Sequence, residues 1–548
     1  MSEQTFDVAS LFDRRADRRW ERVCGADLVE RNTWSAPDKE ALVGWSGAYG
    51  EDRFERLTYR QLDELANQVG HGLRAAGVGR GDRVVAVGEN SVEGFVLRLG
   101  VAKIGAVVAY LNPALAPDVV EHLLERYDPR FAVVDAELWD RVAAPFAARG
   151  LSLDVTIEIG GGVVAGSIGF GAFVDAQPTD EPEATVHGDD IWEIQSTSGT
   201  TAMPKGVMLS HSSATMVAHG FALTLTRGVP IENDVRLVAF LPMLYHIGSQ
   251  IFGLSVFACG GTLVLGRRPD VEAVADAIER ERATALWGGA PAMYGAVLAA
   301  NRARRRDMSS LRIGVFGWAA LRTDVLEGLR EFAPHLSPVG IFGQTEAIAC
   351  HRWWIDAHEE LWRETSPGLN YVGVPSPLLA SQIVDALGEP LDGQAGVTGE
   401  AVYRSPVMTA GYYQDEAATR EAFRGGWFHS GDSCVYDERG MRIMVDRFKD
   451  IVKSGGENVS SIRVEGCLGQ HPGVAKVAVI GVPDDRWGEA VTAVVVPEGD
   501  GVFEADLIAF ARERLAGFET PKQVVFVDAL PETVGGKVLK YRLREQYR

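Results

Sequence analysis

Cysteine is scarce and scattered. Cys24, Cys259, Cys350, Cys434 and Cys467 are odd in number, far apart, and include no C-x-x-C pair. That excludes a disulfide framework and a cysteine metal site, and fits reduced thiols in a cytoplasmic protein. Positive charge is in deficit: 54 Lys and Arg stand against 75 Asp and Glu, a formal net charge of −21. Such a balance argues against general binding to nucleic acid or anionic membrane. Long apolar runs are missing too. The most apolar stretch, around Phe95 to Leu111, is interrupted by Arg98 and Lys103, short of the roughly 18 uninterrupted residues that span a bilayer. The start, Met-Ser-Glu-Gln-Thr-Phe-Asp, has no basic and apolar leader pattern, so no secretion signal is expected.

What is there describes a globular chain. Hydrophobic residues make up 46% and charged residues 24% of 548 positions, too many for one core, so two or more domains are expected. Residues 57–111 set the fold class. Thr58 with Gln61 forms a capping box, Leu62, Leu65, Val69 and Leu73 follow at helical spacing, and Gly77 and Gly79 stop the helix. Arg83 to Gly88 reads as a buried strand, Ser91 opens another helix, and Ala106 to Leu111 reads as a second strand. Strand, helix, strand at this spacing is a βαβ unit and predicts a parallel sheet with helices on its faces. The alternation returns between about 251 and 346, with strands at 261–265, 284–287, 312–316 and 339–342 and helices at 271–281, 291–300 and 322–332. After Gly399 the pieces become strand-like, and a unit of about a hundred residues with strands at 474–480, 490–496 and 523–527 reads as a small α+β domain. The cluster Arg302, Arg304, Arg305 and Arg306 is either an anion patch or, the blander reading, a solvated helix end.

Five strings carry chemistry. Ser196-Thr-Ser-Gly-Thr-Thr-Ala-Met-Pro-Lys-Gly206 follows a strand-like run, Ile191 to Gln195. Hydroxyls and bare N–H groups there can wrap a polyphosphate, with Lys205 adding a mobile charge. The spacing is not that of a P-loop, and alone such a string is more often a surface turn. Phe342-Gly-Gln-Thr-Glu346 offers an aromatic face suited to a purine and a carboxylate suited to a hard cation. Trp427-Phe-His-Ser-Gly-Asp432, Asp446-Arg-Phe-Lys-Asp-Ile-Val-Lys-Ser-Gly-Gly-Glu-Asn-Val459 and Pro531-Glu-Thr-Val-Gly-Gly-Lys-Val-Leu-Lys540 complete the set.

In this order, over roughly residues 55–545, the strings resemble the adenylate-forming superfamily of acyl-CoA synthetases, peptide-synthetase adenylation domains and beetle luciferases. The resemblance implies a large α/β N-terminal domain, residues 1–447, with parallel sheets and helices on both faces, and a small mobile α+β C-terminal domain, residues 448–548. It implies a phosphate loop at Thr197, Ser198, Gly199, Thr200, Thr201 and Lys205, an adenine site at Phe342, Gly343 and Gln344, an α-phosphate contact at Thr345, and Mg²⁺ on Glu346. Asp432 and Arg447 would meet the ribose, Lys449 would be the hinge, Gly455 and Gly456 would line a pantetheine tunnel, and Lys537 would be the catalytic lysine. The acid pocket would use Tyr245, His246, Gly289, Gly317, Trp318, Ala319, Gly343 and Ile348, with His246 gating the acyl site. Two departures stand out: Ala202 where the loop usually has glycine, and Trp318 where many relatives have glycine. The indole should shorten or flatten the pocket.

The resulting expectation is an acid–CoA ligase that uses ATP, Mg²⁺ and CoA on a small, branched or aryl acid, cytoplasmic, monomeric or homodimeric. The alternative is an adenylate-former with another acceptor: a carrier protein, an amine, or nitrite activated for an aryl amine. A catalytically dead nucleotide-binding regulator is disfavoured because Glu346, Asp432 and Lys537 are all present.

Overall fold

Thr58 opens the helix Tyr59–Ala75 through the reciprocal cap its spacing predicts. The Gln61 amide donates to its hydroxyl at 3.3 Å, and the Thr58 amide donates to the Gln61 side chain at 2.9 Å. In the computed structural model, residues 22–45, 47–196, 203–348, 351–499, 501–533 and 537–547 are described. Ser91 caps Val92–Lys103 by accepting from the Gly94 amide at 3.0 Å, and the strands on either side, Arg83–Val87 and Val107–Leu111, pair in parallel from Arg83↔Val107 to Val87↔Leu111. The βαβ expectation holds.

Among the described residues the strands form four sheets. An eight-stranded sheet contains the βαβ unit and continues through Ile191–Ser196 to Gly206–Ser210 and Gly411–Tyr412 at its antiparallel edge. A nine-stranded sheet holds the parallel run Thr262–Gly266, Arg236–Ala239, Ala285–Gly289, Ile313–Gly317 and Ser337–Phe342. A four-stranded antiparallel sheet, with Phe428–Tyr436 beside Arg442–Arg447, follows. A five-stranded sheet built on Val474–Asp484 and Gly488–Pro497 closes the chain and carries its own apolar cluster, including Val452, Val479, Val491 and Leu507.

The two charges that interrupt the most apolar stretch are not on the surface. Arg98 is 2% exposed and pairs with Glu193; Lys103 is fully buried between Asp63 at 2.9 Å and Glu181 at 2.5 Å. Each buried charge keeps a counter-ion, without which burial would be prohibitive. No helix among the described residues is long and apolar enough to cross a membrane. The arginine cluster is likewise committed: Arg306 is buried against Asp276 and Glu272, and Arg304 pairs with Asp276. Only Arg306 is buried; Arg302, Arg304 and Arg305 stay exposed at the end of the helix Pro291–Ala303, which is the blander reading.

Candidate functional site

Three neighbouring parallel strands, Ala285–Gly289, Ile313–Gly317 and Ser337–Phe342, end at one edge of the nine-stranded sheet. Beyond the carboxyl ends of parallel strands is where α/β folds place ligands. Here those ends open into a cavity of about 660 Å³. The four-stranded sheet supplies Asp432 and Arg447 to its far wall, and the C-terminal segment supplies Lys449 and Lys537. A volume of this order suits a nucleotide with a second small molecule.

The far wall is an electrostatic knot around Asp432, which is 1% exposed. Gln344 donates to Asp432 Oδ2 at 2.6 Å and to the Ser430 carbonyl at 2.9 Å. Arg447 Nε lies 3.3 Å from Oδ1, placed there because Asp432 and Arg447 face one another across the strand pair. Burial pushes the Asp432 carboxyl above its ordinary range, against the pull of Arg447, Gln344 and Lys537. The same field acts in reverse on the lysines. Arg447, then burial, lowers Lys537 to about 7, while burial, then Arg447, lowers Lys449 to about 8. Cations converging on one buried carboxylate form a pocket prepared for further negative charge.

At the next corner Glu346 and Lys205 line the cavity with Tyr412 between them. The Tyr412 hydroxyl donates to Glu346 Oε1 at 2.9 Å, and Lys205 Nζ sits 4.6 Å from the centroid of the Tyr412 ring. Among the described residues no cluster of three or more His, Cys, Asp or Glu side chains could hold a metal by itself. A cation at this corner would share one carboxylate with the phosphates of its ligand, the manner in which Mg²⁺ is commonly held. Thr197, Ser198, Gly199, Thr200 and Thr201 lie outside the described residues; their flanks, Ser196 and Lys205, both line the cavity.

Tyr245, His246, Gly317, Trp318 and Ala319 line the same cavity, together with Trp287. A π-helical turn, Ile247–Gly253, follows His246, a wide backbone form often found beside functional sites. His246 is buried, and burial alone lowers it to about 4, so at neutral pH the imidazole is uncharged and offers shape rather than charge. Tyr245 is held by Asn112, whose side-chain amide donates to its hydroxyl at 3.2 Å. Trp318 is 43% exposed with φ +68°; its ring lies 5.7 Å from that of Trp287, which stacks on Phe252 at 4.4 Å.

One expectation needs correction. Ile348 does not line the cavity: at φ +57° the chain turns its side chain inward, where it is fully buried in the main apolar cluster. Gly455 and Gly456, expected in a pantetheine tunnel and not in this cavity, form the hairpin turn between Val452–Ser454 and Glu457–Val459, with the Gly455 amide bonded to the Trp487 carbonyl at 2.7 Å. Gly289 contributes by absence, since a Cβ there would meet Trp318. Tyr412 belongs to none of the five strings, and its only local signal is an aromatic closing the short strand Gly411–Tyr412.

The profile of the AMP-binding enzyme family matches residues 29–413, and that of the AMP-binding enzyme C-terminal domain matches residues 463–537. A feruloyl-CoA synthase from Amycolatopsis sp is 35% identical over 492 residues, covering 90% of this chain and 94% of that protein. An indoleacetate–CoA ligase from Aromatoleum aromaticum is 32% identical over 537 residues, covering 95% and 97%. Among solved structures, an anthranilate CoA ligase in complex with anthranoyl-AMP superposes with a TM-score of 0.82 at 26% identity, covering 96% of this chain and 97% of that one.

Proposed function

The chain belongs to the AMP-binding enzyme family, and from that premise we propose an AMP-forming acid–CoA ligase, cytoplasmic, acting on a small planar acid. The single observation that carries this is the mixed lining of one cavity: Asp432, Arg447, Lys537, Lys205 and Glu346 are among its charged groups, and Trp318, Trp287 and His246 among its aromatic ones. Adenosine triphosphate fits the first. A carboxylic acid with a short aromatic body fits the second, the kind of body named in the feruloyl, indoleacetate and anthranilate relatives.

In the first step a carboxylate oxygen attacks the α-phosphorus, a P–O bond forms, and pyrophosphate leaves. Asp432 accepts from the ribose hydroxyls, and Arg447 holds Asp432 in place. Lys537, between two anionic reactants, stabilises the charge that spreads over the phosphoryl oxygens. Thr345 donates to the α-phosphate, and Glu346 would hold Mg²⁺, which supplies charge neutralisation when bound. In the second step the CoA sulfur attacks the acyl carbonyl and AMP leaves. Lys449 is the hinge about which residues 448–548 turn, carrying Lys537 out and Gly455-Gly456 in. The hairpin's position at Trp487, away from the cavity, supports a first-step arrangement.

Pyrophosphate release measured over a panel of benzoic, phenylacetic, cinnamic and straight-chain acids, with thioester detected by mass spectrometry, tests this reading. Short aryl acids should give thioester. Turnover only with an amine acceptor, or with nitrite and an aryl amine, would replace CoA as the acceptor. Equal use of long alkyl acids would remove the planar-acid assignment.

A further inference from the structure

One residue outside every recognised string touches both halves of the phosphate corner. Tyr412 is 8% exposed, lines the cavity, donates its hydroxyl to Glu346 Oε1 at 2.9 Å and carries the Lys205 ammonium 4.6 Å from its ring centroid. Lys205 precedes the strand Gly206–Ser210 of the eight-stranded sheet and Glu346 follows the strand Ser337–Phe342 of the nine-stranded sheet, so nothing local sets the distance between them. The segment around Tyr412 does. Thr409 donates its amide to the Glu346 carbonyl at 2.8 Å and its hydroxyl to the Met208 carbonyl at 2.7 Å. Gly411 and Tyr412 pair with Met208 and Val207, and the Tyr413 amide reaches the Gly206 carbonyl at 2.7 Å. The Tyr412 amide is itself fixed by the Thr419 hydroxyl at 2.9 Å. The strap thus bonds the backbone on both sides, and Tyr412 is where it bonds the functional side chains.

We propose that Tyr412 is a positioning residue for the phosphate-binding corner: its hydroxyl orients the Glu346 carboxylate toward the metal of the bound nucleotide, and its ring seats the Lys205 ammonium. The proposal rests on the reading that Glu346 holds the magnesium of MgATP. The chemistry of each contact is specific. In this pair the phenol is the donor, since an ionised carboxylate can only accept. A donor on one carboxylate oxygen narrows the orientations in which the group can meet a cation. A ring face under an ammonium attracts it without offering an oxygen that would compete with phosphate.

The two contacts separate by substitution. Tyr412→Phe keeps the ring and removes the hydroxyl; Tyr412→Leu removes both. ATP affinity is measured by isothermal titration calorimetry with Mg²⁺ and again in EDTA, alongside a melting curve. For Tyr412→Phe, the gain in ATP affinity on adding Mg²⁺ should shrink about tenfold, the scale of one hydrogen bond to a charged group, while affinity in EDTA holds. For Tyr412→Leu, affinity in EDTA should also fall several-fold as the seat of Lys205 is lost. Glu346→Gln, which can still accept from Tyr412, serves as the reference for complete loss of the Mg²⁺ effect. A folded Tyr412→Phe with an undiminished Mg²⁺ effect, or with equal losses in Mg²⁺ and EDTA, overturns the positioning role. If Glu346→Gln keeps the Mg²⁺ effect, the assignment of the metal to Glu346 fails and this proposal falls with it.

Discussion

Trp318 and Gly289 are fitted to each other: a Cβ built on Gly289 would come within 2.7 Å of Cζ3 of the Trp318 indole. Both backbones are left-handed, at φ +68° and +65°. Glycine adopts this conformation freely, but tryptophan does so at a cost of about 1–3 kcal/mol. The protein therefore keeps a strained aromatic against a bare backbone at the end of the cavity assigned to the acid.

Trp318→Gly should widen that end without the collapse expected of a core deletion. A buried tryptophan lost to alanine costs about 3–5 kcal/mol; here the indole is 43% exposed and its backbone strain is relieved. Acids longer by a few methylenes should become substrates, each adding up to about 0.8 kcal/mol of burial, and the native small acid should bind more weakly. Pyrophosphate release over a chain-length series, with a melting curve, checks this. An unchanged length preference in a folded variant would sink the filter role.

Gly289→Ala tests the other partner. The new methyl would strike Leu241 Cδ1 at 2.3 Å as well as the indole, on a backbone that favours glycine. The expected cost is about 1–3 kcal/mol, seen as a lower melting temperature. Activity on small acids should fall because Trp318 is displaced, and Gly289→Ala/Trp318→Gly should recover part of the stability.

Asp432→Asn removes a buried carboxylate from among Arg447, Lys449 and Lys537. ATP and AMP affinity should both drop by tenfold or more, with little change in acid affinity. Because Asp432 is a charge that holds the Lys537 proton in place, the variant should also shift that lysine further down. Unchanged AMP binding would falsify the ribose assignment.

Lys537 makes nucleotide binding pH-dependent. In the free protein it titrates near 7 rather than at its ordinary 10.5. Between those values the unfolded chain binds a proton that the folded chain does not, so this group's contribution to stability rises with pH across the window and is lost as pH falls through 7. A bound triphosphate should raise the lysine's affinity for its proton, so binding near pH 8 takes up protons and ATP affinity declines above pH 7. Calorimetry in buffers of different ionisation enthalpy should show the uptake in the native protein and less of it in Lys537→Ala. That variant should also slow adenylate formation about 10²–10³-fold while sparing thioester formation from supplied acyl-adenylate. Buffer-independent heats at pH 8 would remove the titration role.

The strand and helix alternation over 57–111 and 251–346 was legible because a parallel sheet buries near-continuous apolar strands between amphipathic helices, a local pattern. Phe342 to Glu346 was legible for a similar reason: it follows the strand Ser337–Phe342 and gathers an aromatic, a hydroxyl and a carboxylate at nearly consecutive positions. Tyr412 had no such signature. Its two functional contacts, Lys205 and Glu346, are brought to it by pairing between distant segments.

By itself, then, the amino-acid order determined the element types, the order of the sheets along the chain and the residue types available for phosphate, ribose and metal. Tertiary structure decided what those residues became. Arg98 and Lys103, which only interrupt an apolar run in the sequence, become buried ion pairs because Glu193, Asp63 and Glu181 fold against them. Ile348 left the pocket for the core through one positive φ, while Trp318 reached the cavity through another. The lowered proton affinity of Lys537 exists only where Arg447, Lys449 and burial act on it together. Electrostatic fields and side-chain directions depend on distances across the fold, and a linear sequence carries those only once the chain has closed on itself.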